Sequence, residues 1–244
     1  MAADFVDALI GRRAGTTVLR MLGGVRVTHR GRRLDLSPDA DRLLAFVALR
    51  GGRTEADGRV QAHHAVSTLW PATGGRTAVD IRPTLAELSP AGTDLVRADG
   101  RYLALAPGVL TDVVAVDRWA LRVLCWRHAA GDLSAATGGL LGLDLLPGWR
   151  DGWVQRERTR LRQLVLQAVE TVSRQLVQAG RADEAVAVAA DAVAAEPSRV
   201  SARCALLEAH LAAGNWPESC QVFAGYRTLA RRGLRSRIPD LGRC

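Results

Sequence analysis

Alternating apolar and polar positions in the first 106 residues predict two β-hairpins that flank a set of helices. Residues 18–22 and 25–28 are predicted as short strands on either side of Gly23-Gly24, and residues 29–32 mark a turn to a returning strand at 34–36. The alternation recurs at 95–105, where Asp99-Gly100 is a dipeptide typical of a tight hairpin turn. Residues 1–15 show no such pattern, and we expect a frayed start there.

The stretch between the hairpins shows the three-to-four-residue apolar spacing of helices. The first helix is predicted to begin with Ser37 as N-cap and Pro38 at the first helical position, and to end at Gly51-Gly52. A polar loop is expected at 53–60 and a second helix at 60–70. Apolar residues at positions 78, 81, 85 and 88 predict a third helix from about 75 to 88.

Pro83 conflicts with that third helix. A proline in a helix interior removes a hydrogen bond and costs about 3 kcal/mol or more. Two alternatives stay open: the helix kinks at Pro83, or it begins late, with Arg82 outside and Pro83 in its first turn.

After residue 108 the pattern becomes almost wholly helical, with helices expected near 112–127 and at 151–178. The C-terminal third contains an echo, since Ala179-Gly180-Arg181 is followed 34 residues later by Ala213-Gly214-Asn215. This is the period of tetratricopeptide-type helix pairs. Ala185 and Ala192 are small enough for two helices to approach closely, and Pro197 stops the second one. The repeat helices are expected to reach about residue 232, before a loose tail.

These elements predict a mostly α chain in two domains. The order hairpin, three helices, hairpin is that of a winged helix-turn-helix with an N-terminal sheet, an α+β domain over residues 16–108. A tetratricopeptide-like all-α domain is expected over residues 109–235. Because such helix stacks are binding scaffolds, sequence reading or chemistry is expected in the front domain.

The net charge of +8 permits a nucleic-acid partner, and all 33 basic residues are arginine. Arginine matches phosphates and guanine edges well, although a GC-rich coding sequence also favours it. The excess is spread evenly: residues 1–110 hold 15 arginines and 11 acids, and residues 111–244 hold 18 and 14. Charge alone therefore does not locate a binding surface.

Other classes of function find little support. No apolar run approaches 18 residues and the N-terminus lacks a signal-peptide pattern, so we expect a cytoplasmic protein without a membrane span. The cysteines are scattered and are expected to be buried free thiols rather than metal ligands (Cys125, Cys204, Cys220 and Cys244). No catalytic or dinucleotide motif is present, and a chain without lysine cannot form a GxxxxGK phosphate loop. We expect neither an enzyme nor a cofactor.

Several motifs carry a family resemblance. The back half contains Leu145-Leu146-Pro147-Gly148-Trp149, Trp153-Val154, Leu161-Arg162-Gln163-Leu164 and Ala194-Ala195-Glu196-Pro197. The front half contains Leu22-Gly23-Gly24, Thr68-Leu69-Trp70-Pro71 and Leu105-Ala106-Pro107-Gly108. Over residues 17–235 the chain resembles the Streptomyces antibiotic regulatory protein family, whose members join a winged helix to a bacterial transcriptional activator domain.

The resemblance implies a small transcriptional activator. Its winged helix would bind promoter repeats in double-stranded DNA, with the third helix in the major groove. Its helical domain would hold a homodimer on DNA or contact RNA polymerase. The DNA-binding residues implied are in the third helix (Arg76, Thr77, Arg82 and Thr84) and beside the wing turn (Arg97 and Arg101).

The third helix departs from the family pattern of Asn-Leu-Arg, then Ser or Thr, then Trp-Arg. Arg82 is kept, but Asp80, Pro83, Ala86 and Glu87 differ. Two of these residues place acidic groups where phosphate would lie close. We therefore hypothesise weak DNA binding or altered sequence choice, and we expect Pro83→Ser to strengthen it. The main alternative is a helical interaction protein whose winged domain no longer reads DNA; an enzyme built from long-range constellations is a further one.

Overall fold

The computed structural model describes residues 2–11, 16–54, 58–71, 80–90 and 93–237. The chain divides into two compact units. The front unit consists of Ile10–Ala115 and Leu145–Glu157, and the helical unit consists of Met1–Leu9, Val116–Asp144 and Arg158–Cys244. The division of the chain into domains at 16–108 and 109–235 remains a prediction.

The front unit contains a four-stranded sheet in the order β3-β2-β1-β7. Strands β1 (Thr17–Arg20), β2 (Arg26–His29) and β3 (Arg32–Leu34) are antiparallel, as predicted, and Arg30-Gly31 forms the turn with φ of 51° and 80°. Strand β7 (Val109–Thr111) pairs in parallel with β1. The sequence pattern missed β7, because three residues are too few to show alternation and its partner lies about 90 positions earlier.

Helix α2 (Pro38–Thr54) supplies the apolar core of the front unit, through residues such as Leu43, Leu44 and Val47. The predicted end at Gly51-Gly52 is wrong, since both glycines lie inside the helix. A Cβ on Gly51 would stand 2.5 Å from the carbonyl oxygen of Gly58. Gly51 therefore allows a close backbone approach rather than ending the helix.

A three-stranded sheet, in the order β4-β6-β5, packs beside α2. The predicted hairpin is confirmed as β5 (Val96–Ala98) and β6 (Tyr102–Leu105). Strand β4 (Arg59–Gln61) was not predicted and precedes α3 (Ala62–Leu69). The start of the predicted second helix is therefore wrong by two residues.

Two tryptophans secure residues 145–157 in the front unit. The ring of Trp153 is buried and lies edge-on to Phe46 of α2, at 5.2 Å between centroids, and to Trp149 at 6.1 Å. A salt bridge of 2.5 Å joins Arg42 to Asp151 nearby.

The helical unit confirms the 34-residue repeat. Its helices are α6 (Gly152–Gln178, from residue 158), α7 (Ala182–Ala195), α8 (Val200–Ala212) and α9 (Trp216–Arg237), preceded by α5 (Asp112–Leu124, from residue 116). Gly180 and Gly214 close the two turns with φ of 74° and 75°. The N–H of Arg181 donates to Leu176 and that of Asn215 to His210, both at 2.9 Å. Helices α6 and α8 thus end with the same hydrogen-bond pattern, which is typical of helices that end at a glycine.

The expected frayed start is wrong within the described residues. Residues Ala2–Ile10 form helix α1, and the buried ring of Phe5 lies edge-on to Trp119 at 5.7 Å. The chain is thus mostly α-helical, with an α+β front part and an all-helical remainder, as predicted. None of the described helices is both long and apolar enough to cross a membrane.

The expected burial of the cysteines is wrong at two positions. Cys125 and Cys220 are exposed free thiols, and Cys204 is partly buried. Cys244 lies outside the described residues.

Candidate nucleic-acid interface

The third helix of the front unit is short. Helix α4 covers only Arg82–Glu87, and Pro83 lies in its first turn. A helix running unbroken from 75 to 88 is therefore wrong, because residues 80 and 81 are not helical. The structure supports the late start with Pro83 in the first turn, where it interrupts no helical hydrogen bond, but Arg82 is the first helical residue rather than outside the helix as that alternative had it. The candidate residues Arg76 and Thr77 lie outside the described residues.

Arg82 is exposed but already bound to its neighbour Asp80. Its Nε lies 2.9 and 3.1 Å from the two carboxylate oxygens, and its Nη2 lies 2.8 Å from the second. The same carboxylate accepts the backbone N–H of Arg82 at 3.0 Å. These bonds lower the pKa of Asp80 and raise the pKa of Arg82. The pair is close to neutral, so it attracts a phosphate less than a lone arginine would.

Glu87 joins α4 to the start of α2. Its carboxylate accepts the backbone N–H of Ser37 at 2.5 Å and the Ser37 hydroxyl at 2.7 Å. The Ser37 hydroxyl oxygen in turn accepts the N–H of Ala40 at 3.3 Å, so the predicted N-cap is confirmed. Burial raises the pKa of Asp41, and the negative charge of Glu87 raises it further. Glu87 thus has a structural role that the sequence pattern did not indicate.

Thr84 is half-buried, and its carbonyl accepts the N–H of Leu88 at 3.1 Å. Of the candidates on the described part of α4, it is less accessible than Arg82.

Two arginines lie in one row across the three-stranded sheet. Arg59 of β4 and Arg97 of β5 both pair with Ala104 of the central strand β6. Residues paired across strands point to the same face, so these two side chains project from one face of the sheet. Both are exposed. Arg59 makes a loose salt bridge of 3.6 Å to Asp99.

The turn of the β5–β6 hairpin positions the candidate Arg101. Asp99 accepts the backbone N–H groups of Arg101 at 3.0 Å and Tyr102 at 2.7 Å, and Gly100 adopts φ of 86°. The hydrogen bonds from Tyr102 and Arg101 lower the pKa of Asp99, and Arg59 lowers it slightly more. The Arg101 guanidinium lies 5.4 Å from the centre of the Tyr102 ring.

A groove of about 700 Å³ lies between α4 and the hairpin. Arg59, Arg97 and Tyr102 line it on the sheet side, and Leu85 lines it on the helix side. Arginine forks beside an aromatic ring suit an anionic ligand with planar groups, although Asp94 and Asp99 also line the groove and offset the two positive charges. The structure thus brings Arg97 into a common surface with Arg59, which the sequence pattern missed because β4 was not predicted.

Comparison with known families gives one match. Residues 112–238 match the family described as Bacterial transcriptional activator domain. No curated protein matches the chain.

Proposed function

The chain belongs to the bacterial transcriptional activator domain family, since the match spans more than half of it, and we propose that it regulates transcription by docking its front unit on double-stranded DNA. The family indicates an activator-type regulator and is not an enzyme family. The front unit supports the finer proposal through its order of elements: a sheet, helices α2 to α4, and the β5–β6 hairpin. In a winged helix the third helix enters the major groove while the hairpin contacts the backbone.

One observation carries the DNA-binding proposal. Arg59 and Arg97 project from one face of the sheet beside α4, and Arg101 is exposed at the hairpin tip. Cations spaced along a ridge neutralise successive phosphates and release counterions, which drives sequence-independent binding. We therefore propose that these three arginines supply most of the affinity for DNA, through contacts with phosphates.

Base reading by α4 is proposed to be weak. Arg82 must leave Asp80 before it can bind a base edge, and α4 has six residues. Arg82 would exchange its hydrogen bonds to Asp80 for hydrogen bonds to a base, so the net gain in binding free energy is small. We propose modest sequence discrimination by the described part of this helix.

The remaining partners follow from the resemblance to the Streptomyces antibiotic regulatory proteins. We propose that the helical unit holds a homodimer on DNA or contacts RNA polymerase, in the cytoplasm.

Gel-shift titration over random duplexes, at low and then rising salt, tests DNA binding. We expect a shift at micromolar protein, with affinity falling steeply as salt rises. Arg97→Ala and Arg101→Ala should each reduce the logarithmic salt slope by about 1. The matched control Arg118→Ala removes an exposed charge from the helical unit and should leave the slope unchanged. No shift at low salt would refute the proposal.

The rival function is a helical interaction scaffold whose front unit no longer reads DNA. The Asp80–Arg82 pair favours it, because it occupies the kept arginine of α4. Binding to a protein partner without a salt-dependent DNA shift would support this rival.

A further inference from the structure

Four residues of α9 form an exposed stripe that no other element of the described residues covers. We call it the α9 seam: Trp216, Cys220, Phe223 and Arg227. At about 100° per residue, their 4-3-4 spacing keeps them within roughly 60° of the helix surface. All four are exposed, Trp216 at 67% and Phe223 at 47%. Ser219 and Val222, on another side of α9, face inward instead.

The 34-residue repeat shows what such a stripe does when it is covered. The positions 34 residues before Cys220, Phe223 and Arg227 are Val186, Ala189 and Val193 of α7. These three belong to an apolar cluster with residues 205 and 206 of α8, and Ala189 is fully buried. In the first repeat the stripe is thus a helix-packing face. In the second repeat, the described residues place no helix upon it.

We propose that the α9 seam pairs with the α9 seam of a second copy of this chain, as an antiparallel two-fold helix pair. Centred between Cys220 and Phe223, this pairing sets each Trp216 opposite the partner copy's Arg227 and each Cys220 opposite the partner copy's Phe223. A guanidinium over an indole and a sulfur beside an aromatic ring are both favourable contacts. The seam is self-complementary, as a two-fold interface requires.

The seam's composition favours a second copy over a partner with an acidic helix. Its only charge is Arg227, and the two-fold pairing gives that cation an aromatic face. A seam of one helix lies near or below the roughly 1,200 Å² of stable interfaces, so the dimer is weak in free solution. Two neighbouring DNA sites would strengthen it through effective concentration. The strengthening on DNA rests on the homodimer of the proposed function. The pairing of the two α9 seams does not depend on that function.

Cys220 makes the pairing measurable in the full-length protein. In this register the two Cys220 thiols lie three residues apart along the helix pair, about 4.5 Å in axial rise. A short bismaleimide added at high protein concentration should yield a covalent dimer. In a Cys244→Ser background, Cys220→Ser should abolish that dimer, and Cys125→Ser, which removes the other exposed thiol among the described residues, should not. A dimer that forms without Cys220 would overturn the proposal.

Analytical ultracentrifugation over rising concentration supplies the second readout. Trp216→Ala should weaken dimerisation by roughly 30-fold, because the dimer loses both of its indole–guanidinium contacts at once. Trp126→Ala is the matched control, since Trp126 is 57% exposed in the turn that follows α5, and it should change nothing. Equal behaviour of the two variants, or a wild-type protein that stays monomeric at millimolar concentration, would refute the seam. Dimerisation without a DNA shift would instead refute the proposed function and leave the seam standing.

Discussion

Removal of the Glu87 carboxylate tests the hydrogen-bonded contact between α4 and the N-terminus of α2. In the native protein this carboxylate accepts two hydrogen bonds from Ser37, at 2.5 and 2.7 Å, and Ser37 caps α2. Glu87→Ala therefore leaves the Ser37 N–H without its partner and loosens both helices. We expect the free energy of unfolding to fall.

The magnitude follows from the two bonds. A hydrogen bond to a charged group contributes about 1.5–3 kcal/mol. The bonds share one half-buried carboxylate, so water replaces part of what is lost and the values do not add. We expect a loss of about 2–3 kcal/mol for Glu87→Ala. Ser37→Ala loses the cap and one bond, which amounts to about 1–2 kcal/mol.

Urea denaturation, followed by tryptophan fluorescence, measures these values in a double-mutant cycle. The coupling energy between the two positions should exceed about 1 kcal/mol. The matched control is Asp94→Ala, which removes an exposed carboxylate from the lining of the groove between α4 and the β5–β6 hairpin. The reasoning fails if Glu87→Ala costs less than about 0.5 kcal/mol, or if the coupling is near zero.

A second readout separates structure from electrostatics. The charge of Glu87 is the second cause, after burial, of the raised pKa of Asp41. Glu87→Gln should therefore lower the pKa of Asp41, measured by NMR titration of its carboxyl carbon. If Glu87 acted mainly by repelling phosphate, Glu87→Gln and Asp94→Ala would strengthen DNA binding equally without loss of stability.

Three further perturbations have defined outcomes. Pro83→Ser should lower the free energy of unfolding by about 0.4–1 kcal/mol, because proline in a first turn restricts the unfolded chain, and gel shift should show unchanged DNA affinity. This reverses the expectation from the sequence pattern that the substitution strengthens binding. The Arg122 guanidinium holds the pKa of Asp132 below its unfolded value of 3.8. This pair therefore raises the free energy of unfolding above pH 3.8, and that contribution is lost as the pH falls further. Asp132→Asn should reduce the fall in the free energy of unfolding at acidic pH. Gly51→Ala should cost about 1–3 kcal/mol in urea denaturation, since its Cβ would meet the Gly58 carbonyl.

Each of these has an informative contrary result. Stronger DNA binding by Pro83→Ser would show that proline limits access to α4. An unchanged fall in the free energy of unfolding at acidic pH in Asp132→Asn would show that Asp132 does not titrate below its unfolded value. Gly131→Ala is the control for Gly51→Ala, because a Cβ there meets nothing within 4 Å; equal losses would contradict the close-approach argument.

Local sequence patterns predicted correctly those turns and helix ends whose structure depends only on neighbouring residues. The Asp99-Gly100 turn follows from side-chain capping and a positive φ, both set by residues within the turn. The repeat turns at Gly180 and Gly214 are equally local, because each closes hydrogen bonds within six residues. Ser37 was identified as an N-cap for the same reason.

Predictions failed where a partner lies far along the chain. Strands β4 and β7 are three residues each, and they exist because β6 and β1 offer them hydrogen bonds. The partnership of Arg59 with Arg97 could not be inferred, because it requires both strands to be paired with β6.

By itself, the sequence determined the mostly helical class, the hairpin turns and the 34-residue helix repeat, since periodicity and turn chemistry act over a few residues. The tertiary structure alone decided where Pro83 sits in α4, which arginines share a face, and that Glu87 binds Ser37 across 50 positions. The physical reason is one of range: local patterns set backbone conformation, whereas pairing and burial between distant segments set which side chains meet.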